Sequence, residues 1–266
     1  MKLKELINKS TYCSTGHISC QEDIDKLEQY ILYNLPVLKQ FQQVWFINNY
    51  KDADGSIKYS QELVKIYKKY NFGVTHRGIS KGHSFGAAEN DNFAIELVQN
   101  TDLVCKSAHD MIFEESILDK EIKEADFYYT PSVGYSALFD PYNVTSDKVY
   151  LTKEYFYPQT NFYFLNKSKI DYLNDVNHIN EIYNKVKNLP DYNGRAWEYG
   201  FKSCEFLLKE SIERNNLKCF NLIEKEKFIV LLDLIKTKQI HDPSHKNIMI
   251  DGICHFHNSD EQIYNI

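Results

Sequence analysis

Apolar positions along the first 115 residues alternate between two rhythms, and the alternation predicts a β-α-β-α-β order. After a short helical turn within residues 2–9, Ser10–Thr15 (STYCST) is small and β-branched and reads as an opening strand. Ile24, Leu27, Ile31 and Leu35 then recur at helical spacing behind a Ser19…Glu22 capping box, and Pro36 ends or bends that helix. Val44–Ile47 reads as a second strand that runs into the polar, turn-prone stretch Asn48–Asp52. Ser60 caps a helix carrying Leu63, Tyr67 and Tyr70, and Asn71 and Gly73 stop it before a third strand at Phe72–Thr75. A Gly- and Ser-punctuated loop from Gly78 to Gly86, a helical pattern to about Asn100 and a short apolar strand, Asp102–Lys106, complete the run. Strands separated by helices of about ten or more residues predict a parallel sheet with right-handed crossovers.

After Asp110 the rhythm breaks. Asp126–Tyr129, Val149–Thr152 and the Tyr155–Leu165 region read as strands, punctuated by Pro131, Gly134, Pro141 and Pro158. Strands without intervening helices predict an antiparallel or mixed portion after residue 120. Helical patterns follow at His178–Lys187, at Gly194–Asn215 and around Phe228–Ile235, and the tail is strand-like at Ile253–His257. The expected fold is α/β, with a mixed, mostly parallel central sheet flanked by helices. It forms one compact unit of two halves, about 1–115 and about 116–266.

Composition narrows the function classes. The 266 residues are 43% hydrophobic, enough for a sizeable core, and 26% charged. A net charge of −6 and a pI near 5.9 argue against a nucleic-acid binder, which carries a basic stripe. No apolar run has the length of a membrane span, and MKLKELINKS lacks the apolar core of a signal peptide, so the expected location is cytoplasmic. The six cysteines are scattered without a C-x-x-C pair and read as reduced, buried hydrophobes.

Candidate chemistry gathers at strand ends, where α/β sheets place their sites. Asp102–Lys106 runs directly into Ser107-Ala108-His109-Asp110, and a carboxylate there is a hard ligand suited to Mg²⁺ or Mn²⁺. The plainer reading is a loop Asp that caps a turn. Thr15, Gly16 and His17 end the first strand, and Asn48 and Asn49 end the second, in positions to meet a nucleotide. In the Gly78–Gly86 loop, Gly82 allows close backbone approach to a diphosphate and Arg77 and Lys81 add charge, although a tight turn explains the glycines equally well. His255 and His257, two apart in a strand, face one side. Tyr157, Gln159 and Asn161 offer polar and aromatic surface to a sugar, against the commoner explanation of buried strand aromatics. Glu198 beside Trp197 opens an amphipathic helix; its plainer role is an i,i+4 pair with Lys202.

The order of a strand, a helix, a strand ending in Asn48-Asn49, a Gly-punctuated loop with its helix and a strand ending in His109-Asp110 resembles the glycosyltransferases of the GT-A fold over roughly residues 10–115. In that family the last strand ends in an Asp-x-Asp motif that holds a divalent metal on the nucleotide-sugar diphosphate. Here Asp110 matches the motif's last position and Ala108 stands at its first. The resemblance implies a nucleotide-sugar donor, a glycan, lipid-linked or protein acceptor, Mn²⁺ or Mg²⁺ on Asp110 with a late His (His255 or His257), an acceptor surface that includes Trp197, and Glu198 as base in an inverting reaction. Two other readings stay open. One is a metal-dependent phosphohydrolase using the His109-Asp110 and His241-Asp242 pairs. The other is a non-catalytic nucleotide-sugar or glycan-binding protein.

Overall fold

A computed structural model describes residues 1–16, 18, 20–50, 53–79, 83–131, 158–170, 176–188, 204–236, 247–255 and 263–265. The first part builds in strict alternation: α1 (Leu3–Ile7), β1 (Ser10–Gly16), α2 (Gln21–Leu38), β2 (Gln43–Tyr50), α3 (Ala53–Lys69), β3 (Gly73–Ile79), α4 (His83–Leu97) and β4 (Leu103–Ala108). Next come β5 (Met111–Phe113), a 3₁₀ turn (Glu115–Asp119), β6 (Phe127–Pro131), β7 (Pro158–Asn166), α5 (Val176–Val186), α6 (Cys204–Arg214), β8 (Cys219–Asn221), α7 (Lys225–Lys236), β9 (Ile248–Ile250), β10 (Ile253–His255) and β11 (Tyr264–Asn265).

Among the described residues, seven strands form one sheet in the order β3-β2-β1-β4-β7-β6-β8. β3, β2, β1 and β4 are mutually parallel, β7 runs antiparallel between β4 and β6, and β8 is parallel to β6. This is the mixed, mostly parallel α/β sheet expected from the alternation before Asp110 and its loss afterwards. A smaller sheet, β11-β9-β10-β5, packs beside it.

Successive strand residues point to opposite faces, and the core divides accordingly. Phe46 packs with Ile24, Leu27 and Ile31 of α2 and Leu63, Ile66 and Tyr67 of α3. Its neighbour Ile47 packs the other way, with Cys13, Val104, Ala94 of α4 and Val98 just after that helix. α6 covers β6 and β7 on that second face through Leu208 and Ile212. The first face also takes α1, Phe228 of α7 and the inner side of the small sheet, around Tyr12, Phe162 and Phe164. Full burial of one such Phe, Leu or Ile is worth roughly 1.5–3 kcal/mol.

Several boundaries differ from those read in the sequence. The capping box of α2 falls one residue later: Cys20 is the N-cap, and its N–H donates to Asp23 Oδ2 at 3.1 Å. Pro36 lies inside the last turn, where its missing N–H costs one bond, to the carbonyl of the exposed Leu32. Asn48 and Asn49 lie within β2 because its ladder with β3 extends to Tyr50, and that pairing overrides their turn preference. α3 begins at Ala53, so Ser60 sits in its interior. Asn71 does stop that helix, in the left-handed region at φ 62. Gly78 and Ile79 belong to β3, while Ser84 and Gly86 belong to α4, whose small residues Ala88 and Ala94 seat it closely on the sheet. The strand expected at Val149–Thr152 lies outside the described residues.

Candidate active site

The sheet order reverses at β1. From β1 the chain passes through α2 on one face to β2, whereas β4, on the other side of β1, is reached from α4 on the opposite face. The carboxyl ends of β1 and β4 therefore flank the crevice where sheets of this kind bind ligands. Thr15 pairs with Ala108 across it, and the His109 N–H donates to the Thr15 carbonyl at 3.0 Å. Thr15 Oγ1 donates to the Ser107 carbonyl at 3.4 Å.

His109 and Asp110 form the two-residue turn between β4 and β5, and both are half-buried. The His109 imidazole lies over Gly16 so closely that a Cβ there would sit 2.6 Å from Nδ1 and 2.8 Å from Cγ. Gly16 is thus the residue that lets this ring occupy the strand end. Tyr30 of α2 meets the imidazole edge-on, with ring centroids 6.5 Å apart. Burial pushes the Tyr30 phenol up to about 12, with the Asp110 charge adding to the effect. Burial likewise pushes the Cys254 thiol up to about 12, again with Asp110 contributing. The Tyr30 phenol and the Cys254 thiol, both under the influence of Asp110, stay protonated near neutral pH.

The small sheet adds a further residue. β10 pairs antiparallel with β5 so that His255 is opposite Met111, the residue after Asp110. The register brings the backbone of His255 next to the strand that follows Asp110. The side chain of His255 lies outside the described residues.

Other candidates have structural engagements. Asn48 is 1% exposed; its Oδ1 accepts from the Ile18 N–H at 3.2 Å and its Nδ2 is 3.5 Å from Nδ1 of His76. It ties the segment after β1 to β2, and burial lowers the pKa of His76. Asn49, also buried, follows a bulge at which Arg77 is the unpaired extra residue of β3. Arg77 donates to Asn90 Oδ1 at 3.4 Å, lies 3.8 Å from Glu89 Oε2 and stacks over Phe93, all on α4. Asn161 is half-buried on β7 beside Phe162, which pairs with Ser107 near the end of β4. His17, Lys81, Gly82, Tyr157, Trp197, Glu198, His241, Asp242 and His257 lie outside the described residues, as does the side chain of Gln159.

Two groups near the turn were not expected from the sequence. Tyr30 and Asn34 sit on α2 three and seven residues after Leu27, within its apolar stripe. Asn34 at 3% exposure is buried where the apolar pattern points to Leu35. A polar residue on an apolar stripe was the available signal. Beneath the crevice, Lys106 Nζ lies 3.1 Å from Asp91 Oδ1 of α4, and the Tyr163 phenol, pushed well up by burial and by Asp91, is their neighbour on β7.

Among the described residues, no three His, Cys, Asp or Glu side chains converge as a self-sufficient metal cage. One carboxylate with an adjacent imidazole fits a Mg²⁺- or Mn²⁺-type cation that takes its remaining ligands from substrate phosphates and water.

No protein-family model and no curated protein sequence matches the chain. Solved structures overlap with it. The inositol-1-phosphate CTP transferase from T. maritima aligns at a TM-score of 0.43 and 13% identity, over 82% of this chain and 86% of that one. Apo-form glycosyltransferase GlyE of Streptococcus pneumoniae TIGR4 aligns at 0.45 and 13%, over 95% of this chain and 55% of GlyE. The nucleoside-diphosphate-sugar pyrophosphorylase from Vibrio cholerae RC9 aligns at 0.39 and 11%, over 79% and 90%. Overlaps this loose assign no chemistry to this chain, whose fold is described by its own sheet topology.

Proposed function

We propose that the chain is a glycosyltransferase that moves a sugar from a nucleotide-sugar donor to a hydroxyl acceptor, assisted by a divalent cation. The observation that carries this reading is the His109-Asp110 turn at the reversal point of the sheet, packed on Gly16, with His255 opposite Met111. The donor diphosphate lies across the ends of β1 and β4, where Gly16 and the backbone around it permit close approach. Asp110 and His255 would hold the cation, which would supply charge neutralisation to the departing nucleoside diphosphate. Glu198 is the proposed base: it takes the acceptor hydroxyl's proton as the new C–O bond forms and the bond from the sugar to the β-phosphate breaks. The half-chain after residue 115 supplies the acceptor surface, including Tyr157, Gln159, Asn161 and Trp197.

The test is a panel of nucleotides and nucleotide sugars, with and without Mn²⁺, read first as thermal stabilisation. A ligand at 100 times its Kd stabilises by about 2.7 kcal/mol. Active donors are then incubated with candidate acceptors and the released product is identified. Nucleoside diphosphate supports sugar transfer, pyrophosphate indicates nucleotidyl transfer, and inorganic phosphate from simple phosphoesters indicates a phosphohydrolase. Binding without turnover across a broad acceptor set points to a sugar-nucleotide-binding protein.

A further inference from the structure

β5 is the outer strand of the small sheet, with β10 on one side only. Its other edge would expose backbone groups in the interior of the protein, a costly arrangement unless something pairs with them. The side chain of Asn34, on α2, fills that need. Its Nδ2 donates to the Met111 carbonyl at 2.7 Å, and its Oδ1 accepts from the Phe113 N–H at 2.8 Å. A carboxamide has a donor and an acceptor side by side, so it meets alternate groups of β5 as an adjacent strand would. Asn34 is 3% exposed and Met111 and Phe113 are 2% exposed, so water does not compete for these bonds.

Met111 follows directly on Asp110, and His255 pairs with it on the opposite edge. From this placement we infer that Asn34 is a positioning residue for the candidate site. By fixing β5 from its outer edge, it holds the His109-Asp110 turn in place to share a cation with a nucleoside diphosphate. The inference rests on the reading of the turn as the diphosphate site. α2 performs two tasks there, through residues one helical turn apart: Tyr30 packs on the His109 ring, and Asn34 holds the strand that follows.

Calorimetry of UDP and GDP binding, with and without Mn²⁺, tests this on the wild type, Asn34→Asp, Asn34→Leu and Asp110→Ala. Asn34→Asp keeps an acceptor for Phe113 and sets an oxygen against the Met111 carbonyl; Asn34→Leu loses both bonds. The expected result is graded. Nucleotide affinity without Mn²⁺ stays within about twofold, while the gain on adding Mn²⁺ falls about tenfold or more in Asn34→Leu and less in Asn34→Asp. If both variants lose thermal stability yet keep the full Mn²⁺ gain, Asn34 is a structural residue only and the inference is overturned. If Asp110→Ala itself leaves the gain unchanged, the diphosphate reading has failed and the role of Asn34 falls with it. If Asp110→Ala abolishes the gain and neither Asn34 variant lowers it, only the role of Asn34 is overturned. Should neither Asn34 variant fold, hydrogen exchange on the wild type decides. The Phe113 amide is expected to exchange about tenfold more slowly with Mn²⁺ and nucleotide than with nucleotide alone, and an unchanged rate overturns the inference.

Discussion

Lys106 Nζ on β4 lies 3.1 Å from Oδ1 of Asp91 on α4, with the lysine side chain 4% exposed and the aspartate fully buried. An ion pair this deep is costly to form and more costly to break from one side, because the remaining charge stays in a low-dielectric interior. Asp91→Ala is expected to destabilise the fold by about 3–5 kcal/mol, measured by chemical denaturation. Lys106→Met with Asp91→Leu should recover much of that loss. A loss below about 1 kcal/mol in Asp91→Ala would show that the pair is not a tightly coupled buried one.

At the strand end, Gly16→Ala brings a Cβ to 2.6 Å from the His109 ring. The imidazole has the Tyr30 ring at its edge and a backbone held to Thr15, so it yields at a cost of about 1–3 kcal/mol. Nucleotide affinity is expected to fall more than thermal stability does, since the displaced ring lies in the crevice. Calorimetry alongside thermal unfolding separates the two effects, and an undisturbed affinity would place the ligand elsewhere.

A third expectation concerns acid. Burial alone would push the Asp251 carboxyl up, but hydrogen bonds from Lys227, from the Glu224 N–H and from Lys120 outweigh it and hold the group below the ordinary carboxylate range. The stability this supplies is present above the unfolded-state pKa of about 3.9 and disappears as pH falls through the lower folded-state value. Asp251→Asn should therefore be less stable than wild type by a constant margin near neutral pH, and the margin should close below about pH 4. A margin that persists unchanged to pH 2 would assign the loss to packing.

For the cation, one carboxylate is a weak site by itself, so Mn²⁺ should bind poorly to the free protein and well with a nucleoside diphosphate present. Asp110→Ala and His255→Ala should each reduce metal-coupled nucleotide affinity about tenfold or more. Unchanged coupling in both variants would favour a metal-independent transferase.

Glu198→Gln should lower sugar transfer by about two or more orders of magnitude while leaving nucleotide binding intact, as expected for loss of a general base. Turnover near the wild-type level would return Glu198 to its plainer role as a surface partner of Lys202.

The alternation of β1 through β4 is legible in the sequence because each strand and helix carries its own periodicity. The strand end at His109-Asp110 is legible for the same reason. Boundaries are less so, since Asn48, Ser60 and Gly86 follow local rules that sheet pairing and close helix packing override. β5, β8 and β9 each span three residues, too few for a period to show. Tyr30 and Asn34 belong to the same surroundings as Asp110, but only a long-range packing of α2 on β5 puts them there, and no short window of sequence contains both. The nearness of His255 to Asp110 likewise comes from an antiparallel pairing between distant segments.

That pairing has a consequence for the order in which the protein acquires its parts. On a ribosome, domains fold from the N-terminal side as they emerge. The parallel strands β1 to β4 can assemble from the first part of the chain, and β4 waits only for β7 on its free edge. β5 cannot meet β10 until residue 255 has been made, and β9 gains β11 later still. A nascent chain thus passes through a long interval with its crevice half built. One edge of β5 is then held by Asn34 of α2 while the other still lacks β10, and any chemistry at the crevice must wait until residue 255 has been made.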